Sequence, residues 1–137
     1  MADNIYVERI DNALRVMRSV RDEDFQINAW PRCVLGHCAL DTWFNDNGFG
    51  FRYASGRIPA FDGEVGCLAG AKFFGITLEV STHIFVASDP ERGGAYTTRH
   101  PDRKAAIAHL EILRMKKLAE SVPGSTIEVT DFVAVDA

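Results

Sequence analysis

No run of apolar residues in this chain approaches the ~20 needed to cross a bilayer as a helix, so no membrane-spanning segment is expected. Cysteine is sparse. Three residues, an odd number, are far from a disulfide scaffold and predict reduced thiols in a cytoplasmic setting. The paired Cys-x2-4-Cys turns of structural zinc sites are missing, since Cys33-x4-Cys38 falls within an expected helix, as are any Walker or Gly-x-Gly-x-x-Gly loop. Positive charge is not in excess: the net charge of −4 gives no global attraction for nucleic acid or acidic membranes. The start, Met1-Ala-Asp-Asn-Ile-Tyr-Val-Glu8, has neither a basic n-region nor an apolar h-region, so no signal peptide is expected. Low-complexity segments and interdomain linkers are absent, and residues 1–137 are expected to form one domain.

Apolar side chains make up 47% of the residues, with nine Phe among them, enough to build a core without disulfides or metals. Two blocks of small residues around the cysteines organise that core. The first is Cys33-Val-Leu-Gly-His37-Cys38-Ala-Leu-Asp-Thr-Trp43-Phe44. The second is Gly63-Glu-Val-Gly66-Cys67-Leu-Ala-Gly70-Ala-Lys-Phe-Phe-Gly75-Ile-Thr77. Small residues at helical spacing, such as Gly66 and Gly70, let two helices approach closely.

Ile10, Ala13, Leu14 and Met17 fall at i, i+3, i+4, i+7 and predict a helix over 4–20 capped by Asp3 or Asn4. Residues 25–30 are a short strand or extended arm. Pro31 suits the first turn of a helix from Arg32 to Asp46, ended by Asn47-Gly48. The alternation in 49–53 and 57–61 predicts a small hairpin, its Pro59 strand at an edge. Asp62 is a candidate cap for a helix from Gly63 to Phe74 that Gly75 stops. Thr77 caps a helix from Leu78 to about Ala87, with Val80, Ile84 and Ala87 inward. Residues 88–94 are a loop. A helix over 101–120 carries Ile107, Leu110, Leu113 or Arg114, and Leu118 as its stripe. The pattern Ile127, Val129, Val133, Val135 predicts a strand over 126–135, paired with another strand or with a second copy of the chain in a homodimer. The fold expected is α+β and mostly helical, with about five helices and a small antiparallel sheet that includes the C-terminal strand.

Taken in order, Cys33 to Cys38, Cys67-Leu-Ala-Gly70, Phe74-Gly-Ile-Thr77, Ile84-Phe85 and Asp89-Pro90 resemble a pattern of small uncharacterised helical proteins from bacteria and their phages. The resemblance spans roughly residues 25–118 and implies a helical fold and a bacterial or phage origin. No activity comes with it. Asp62-Gly63 stands where such proteins often carry a further Cys, and Ala71-Lys72 where a Trp or His is common.

Chemistry concentrates at four side chains. On a helix Cys33 and His37 share a face and Cys38 points about 100° away. Cys67 as a third ligand and His83, His100 or His109 as a fourth would make a zinc set. Cys67, near a helix start, is also the candidate nucleophile, with Cys38 as the other thiol and His37 as base. Against both stands the ordinary behaviour of a free Cys as a small buried hydrophobe. Trp30 and Trp43 are expected core anchors. Arg99, His100, Arg103, Lys104, Arg114, Lys116 and Lys117 form a basic stretch without any nucleic-acid-binding signature, so nucleic acid is not an expected partner. No cofactor is expected. The leading expectation is a non-catalytic protein-interaction or regulatory module. The alternatives are a Cys/His-dependent enzyme and a zinc protein built on Cys33, His37, Cys38 and Cys67.

Overall fold

The computed structural model describes residues 4–25, 32–52, 57–86, 88–89, 95–96, 103–120 and 127–132. These form an α+β fold that is mostly helical, with a three-stranded antiparallel sheet. Helix α1 (Ile5–Ser19) starts where the Asn4 side chain accepts from the Tyr6 and Val7 amides. It buries Ile10, Ala13, Leu14, Val16 and Met17, the larger of these stabilising by roughly 1.5–3 kcal/mol each. A 3-10 turn, Asp22–Asp24, follows.

The expected single helix over 32–46 is two. Helix α2 (Val34–Leu40) ends at Asp41, and helix α3 (Thr42–Asp46) begins there. The cause is Asp41 itself: in extended conformation, its carboxylate accepts from the Trp43 and Phe44 amides, 3.1 and 3.4 Å. Arg15 of α1 holds the same carboxylate with two guanidinium bonds of 3.1 and 2.8 Å.

Strands β1 (Phe49–Arg52), β2 (Ile58–Phe61) and β3 (Glu64–Val65) pair in the order β1-β2-β3. The Pro59 strand is therefore central, not at an edge. Pro59 opposes Phe51 on β1, while β3 reaches only Ala60 and Phe61 before the chain turns into helix. The missing donor of Pro59 falls where no strand needs it. Asp62 and Gly63 link β2 to β3 with φ of +50° and +84°, the two left-handed residues of a type I′ hairpin turn. Asp62 thus makes a turn rather than a cap.

Helix α4 (Gly66–Phe74) starts three residues later than expected and ends at Gly75 in left-handed conformation, whose amide and that of Ile76 both bond Ala71 O. Helix α5 (Leu78–Val86) begins as expected at Thr77, whose Oγ1 accepts from the Val80 amide at 3.2 Å. Ser88–Asp89 (β4) and Ala95–Tyr96 (β5) form a two-residue antiparallel ladder at the ends of the expected loop.

Helix α6 (Arg103–Ala119) runs antiparallel to α1: Asn4 Nδ2 donates to Lys117 O, Arg114 pairs with Asp11, and Arg103 reaches Met17 O. Its buried stripe is Ala106, His109, Leu110, Leu113 and Lys117, while Leu118 is 46% exposed. The stripe is turned from the expected one because Lys117 has partners inside. Its Nζ donates to Gly75 O and to Glu120 (2.7 Å) and lies 4.7 Å from the Tyr6 ring centroid.

The expected C-terminal strand is not formed over Val129–Phe132, which is a 3-10 turn. Asp131 accepts from the Glu128 amide at 2.9 Å and closes the turn, and Phe132 enters the core. Residues 126 and 133–135 lie outside the described residues, as do 26–31, including Trp30 and Pro31, and Ala87, Arg99 and His100.

Candidate functional site

The two cysteine blocks meet at the centre of the molecule. Gly70 is buried, and a Cβ there would stand 3.0 Å from Ser81 Oγ and 3.1 and 3.2 Å from the Leu35 methyls. Helices α2, α4 and α5 therefore converge on this glycine. Ser81 Oγ donates to Cys67 O at 2.7 Å, tying α5 to the first turn of α4. Beside them Phe44, Phe49, Phe61, Phe73 and Phe74 make a run of ring contacts with centroids 4.9–6.4 Å apart. Trp43 packs edge-on against Phe44 and Phe73.

This packing decides the state of the thiols. All three are free. Cys33 and Cys38 are fully buried. Burial pushes the Cys33 thiol up to about 11, against the opposing pull of the Gly36 and Leu35 amides. Cys38 is held well above the usual thiol range, again by burial. Cys67 is half-buried and also raised by burial, with the Thr82 side chain acting the other way. A raised pKa keeps each sulfur in the weakly nucleophilic thiol form at neutral pH.

His37 shares a helix with Cys38, but its Nε2 lies 2.9 Å from Asp24 O. A carbonyl only accepts, so this nitrogen carries the proton and donates to the 3-10 turn. That bond anchors the turn after α1 to α2. Among the described residues, no group of three or more Cys, His, Asp or Glu is arranged to hold a metal ion.

Two expected fourth ligands are instead brought to each other. His83 on α5 and His109 on α6 are both buried, with ring centroids 5.8 Å apart, and Phe132 packs against both rings. Sequence reasoning missed this pair. Its signal was positional: each histidine precedes a buried residue of its helix, Ile84 and Leu110.

A groove of about 300 Å³ opens at the sheet between Asn45, Phe51, Phe61 and Asp62. Its lining includes none of the cysteines or histidines. The basic stretch is engaged locally: Arg103 with Asp22 (2.7 Å), Arg114 with Asp11 (2.5 Å), Lys116 with Asp131 (3.3 Å), and Lys117 inside. No helix among the described residues is long and apolar enough to cross a membrane. Comparison of the chain with protein-family models, with curated proteins and with solved structures finds no match.

Proposed function

We propose that the chain is a non-catalytic module that works by binding another protein. The observation that carries this reading is where its side chains are placed. Cys33 and Cys38 serve as core, whereas Ile5, Leu40, Leu68, Leu78, Met115 and Leu118 stand 46–67% exposed on helices. Single exposed apolar residues are ordinary, but gathered ones mark interaction surfaces. Three of these lie on elements that are tied together at one end. Asn4 Nδ2 donates to Lys117 O at 3.2 Å, and Lys117 Nζ donates to Gly75 O. The start of α1, the α4–α5 corner and the end of α6 are thereby tied together, and Ile5, Leu78 and Leu118 emerge at that end. A cytoplasmic setting accords with three free thiols. A bacterial or phage origin is supported by the resemblance.

The test is position-dependent photo-crosslinking in cells that express the chain. A photoreactive residue at Ile5, Leu78 or Leu118 is expected to give a protein adduct. The same residue at exposed Asp46, the last residue of α3, is expected to give none. Equal labelling at all four positions, or none at any, would overturn the reading.

A further inference from the structure

The groove at the sheet is built on the smallest residue pair of the β1–β2 ladder. Side chains alternate along a strand. Phe49 and Phe51, with their partners Phe61 and Pro59, therefore take the core side, and Gly50 and Arg52, with Ala60 and Ile58, take the other. Gly50 opposes Ala60, which leaves a flat floor across the two strands. A Cβ at Gly50 would stand 3.4 Å from Asn45 Nδ2, so the Asn45 amide edges this floor. A Cβ at Gly63 would meet nothing within 4 Å, and that end is open. The space is about 300 Å³, the lower end of the range for small-molecule pockets.

The polar groups around the floor select the occupant. Both N–H groups of the Asn45 amide are committed, to Ala39 O and Phe49 O at 2.9 Å each. Among the described residues no donor reaches its Oδ1, so the amide offers an acceptor only. Arg52 lies two residues from Gly50 on the same face, about 7 Å along the strand. Arg57 stands across the hairpin from it, with its guanidinium 5.5 Å from the Phe51 ring centroid. Both arginines are exposed, and among the described residues neither meets a carboxylate. The Asp62 carboxylate at the lip is held by Lys72 at 2.8 Å and leaves this end of the strand cationic.

A flat group that carries an N–H donor matches the floor and the Asn45 acceptor. Two guanidiniums at one end match a phosphate monoester, with about −1.5 to −2 charges at pH 7, better than a single carboxylate, and hold its oxygens by charge-assisted hydrogen bonds. We propose that this groove is a nucleotide site. An amino-substituted base lies on the Gly50–Ala60 floor, its amine donates to Asn45 Oδ1, and its phosphate meets Arg52 and Arg57. The site goes beyond the binding-module reading and does not rest on it, because none of the exposed apolar helix residues lines the groove. A free nucleotide and the phosphorylated end of a single strand share this chemistry.

Titration of the isotope-labelled full chain with adenosine monophosphate, followed by amide chemical shifts, tests it. The amides of Gly48, Gly50, Ala60 and Gly63 are expected to shift together and to approach saturation by about 1 mM. Arg52→Gln is expected to leave the melting temperature unchanged, because the side chain is exposed, and to weaken binding at least about fivefold. Adenosine, which lacks the phosphate, is expected to bind wild type and Arg52→Gln equally weakly. Purine riboside monophosphate, which lacks the amine, is expected to bind at least about threefold more weakly than adenosine monophosphate. Gly50→Val, with a residue that suits a strand, fills the floor and is expected to abolish the shifts. Shifts that do not saturate, or that centre away from the groove, would overturn the proposal. So would an affinity indifferent to Arg52→Gln, or equal affinities for the nucleotide and its amine-free analogue. A phosphorylated adenylate strand that binds at least about tenfold tighter than the nucleotide, and loses this with Arg52→Gln, would keep the site and name a strand end as its source. Equal or weaker binding of the strand would name the free nucleotide.

Discussion

Replacing Gly70 with Leu probes the contact on which the fold converges. The new Cβ alone would stand 3.0 Å from Ser81 Oγ and 3.1 Å from a Leu35 methyl. Ser81 and Leu35 are each 0% exposed, so neither has solvent to retreat into, and three further carbons follow the Cβ. Replacing a mid-helix Gly returns about 1 kcal/mol of helix propensity. Disturbing the Ser81–Cys67 hydrogen bond costs about as much. What remains is overpacking, roughly 1–3 kcal/mol and here toward the upper end. Urea unfolding followed by tryptophan fluorescence would register this as a midpoint lowered by about 1–2 M at unchanged slope. Gly70→Ala is expected to lie much closer to wild type. Ser81→Gly, combined with Gly70→Leu, is expected to recover part of the loss. A Gly70→Leu midpoint within about 0.3 M of wild type would refute the close approach of α2, α4 and α5.

Asp41→Ala removes the α3 cap and the Arg15 fork and is expected to cost about 1–2 kcal/mol in the same unfolding assay. The Arg15 guanidinium, through its hydrogen bond, holds the Asp41 carboxyl below the usual range. Its contribution is therefore complete above the unfolded pKa of about 4 and lost as pH falls through the lower folded value, a loss the variant should not show. The Cys33 thiol shifts the other way, up to about 11. The unfolded thiol ionises first, so its contribution is whole below about pH 9 and falls by on the order of 2–3 kcal/mol as pH rises to 11. Unfolding midpoints of wild type and Cys33→Ala across that range should converge. Gly75→Ala forces a left-handed Ala and brings a Cβ to 2.8 Å from the Tyr6 ring. A thermal melt is expected to show a loss of at least about 1–2 kcal/mol, and an unchanged melt would contradict the packing of α1 on the α4 C-terminus.

The elements legible from the sequence were those whose signals are local. The α1 stripe, the Asn4 and Thr77 caps and the Gly75 stop each depend on residues within a turn of one another. The break at Asp41 was present as a capping residue before Thr42, but apolar periodicity running through both helices hid it. Asp62-Gly63 is a strong hairpin signal, obscured because a helix begins three residues later. The alternation after Ile127 resembles a strand, yet Asp131 folds back on the Glu128 amide and closes a 3-10 turn. Lys117 was beyond reach, since its burial depends on the Gly75 carbonyl, 42 residues away in sequence. At the candidate site, the blocks of small residues rightly marked where helices meet. Which side chains would face each other there, such as His83 and His109, is set by helix packing that spacing alone does not encode.

Native mass spectrometry with and without a thiol-alkylating reagent tests the central claim most directly, because it reads the bound species and the state of the thiols together. Only polypeptide masses are expected, with Cys33 and Cys38 unreactive until unfolding and Cys67 slow. A bound metal ion, or one thiol alkylated far faster than a free cysteine at the same pH, would contradict it and return the chemistry to the cysteine helices.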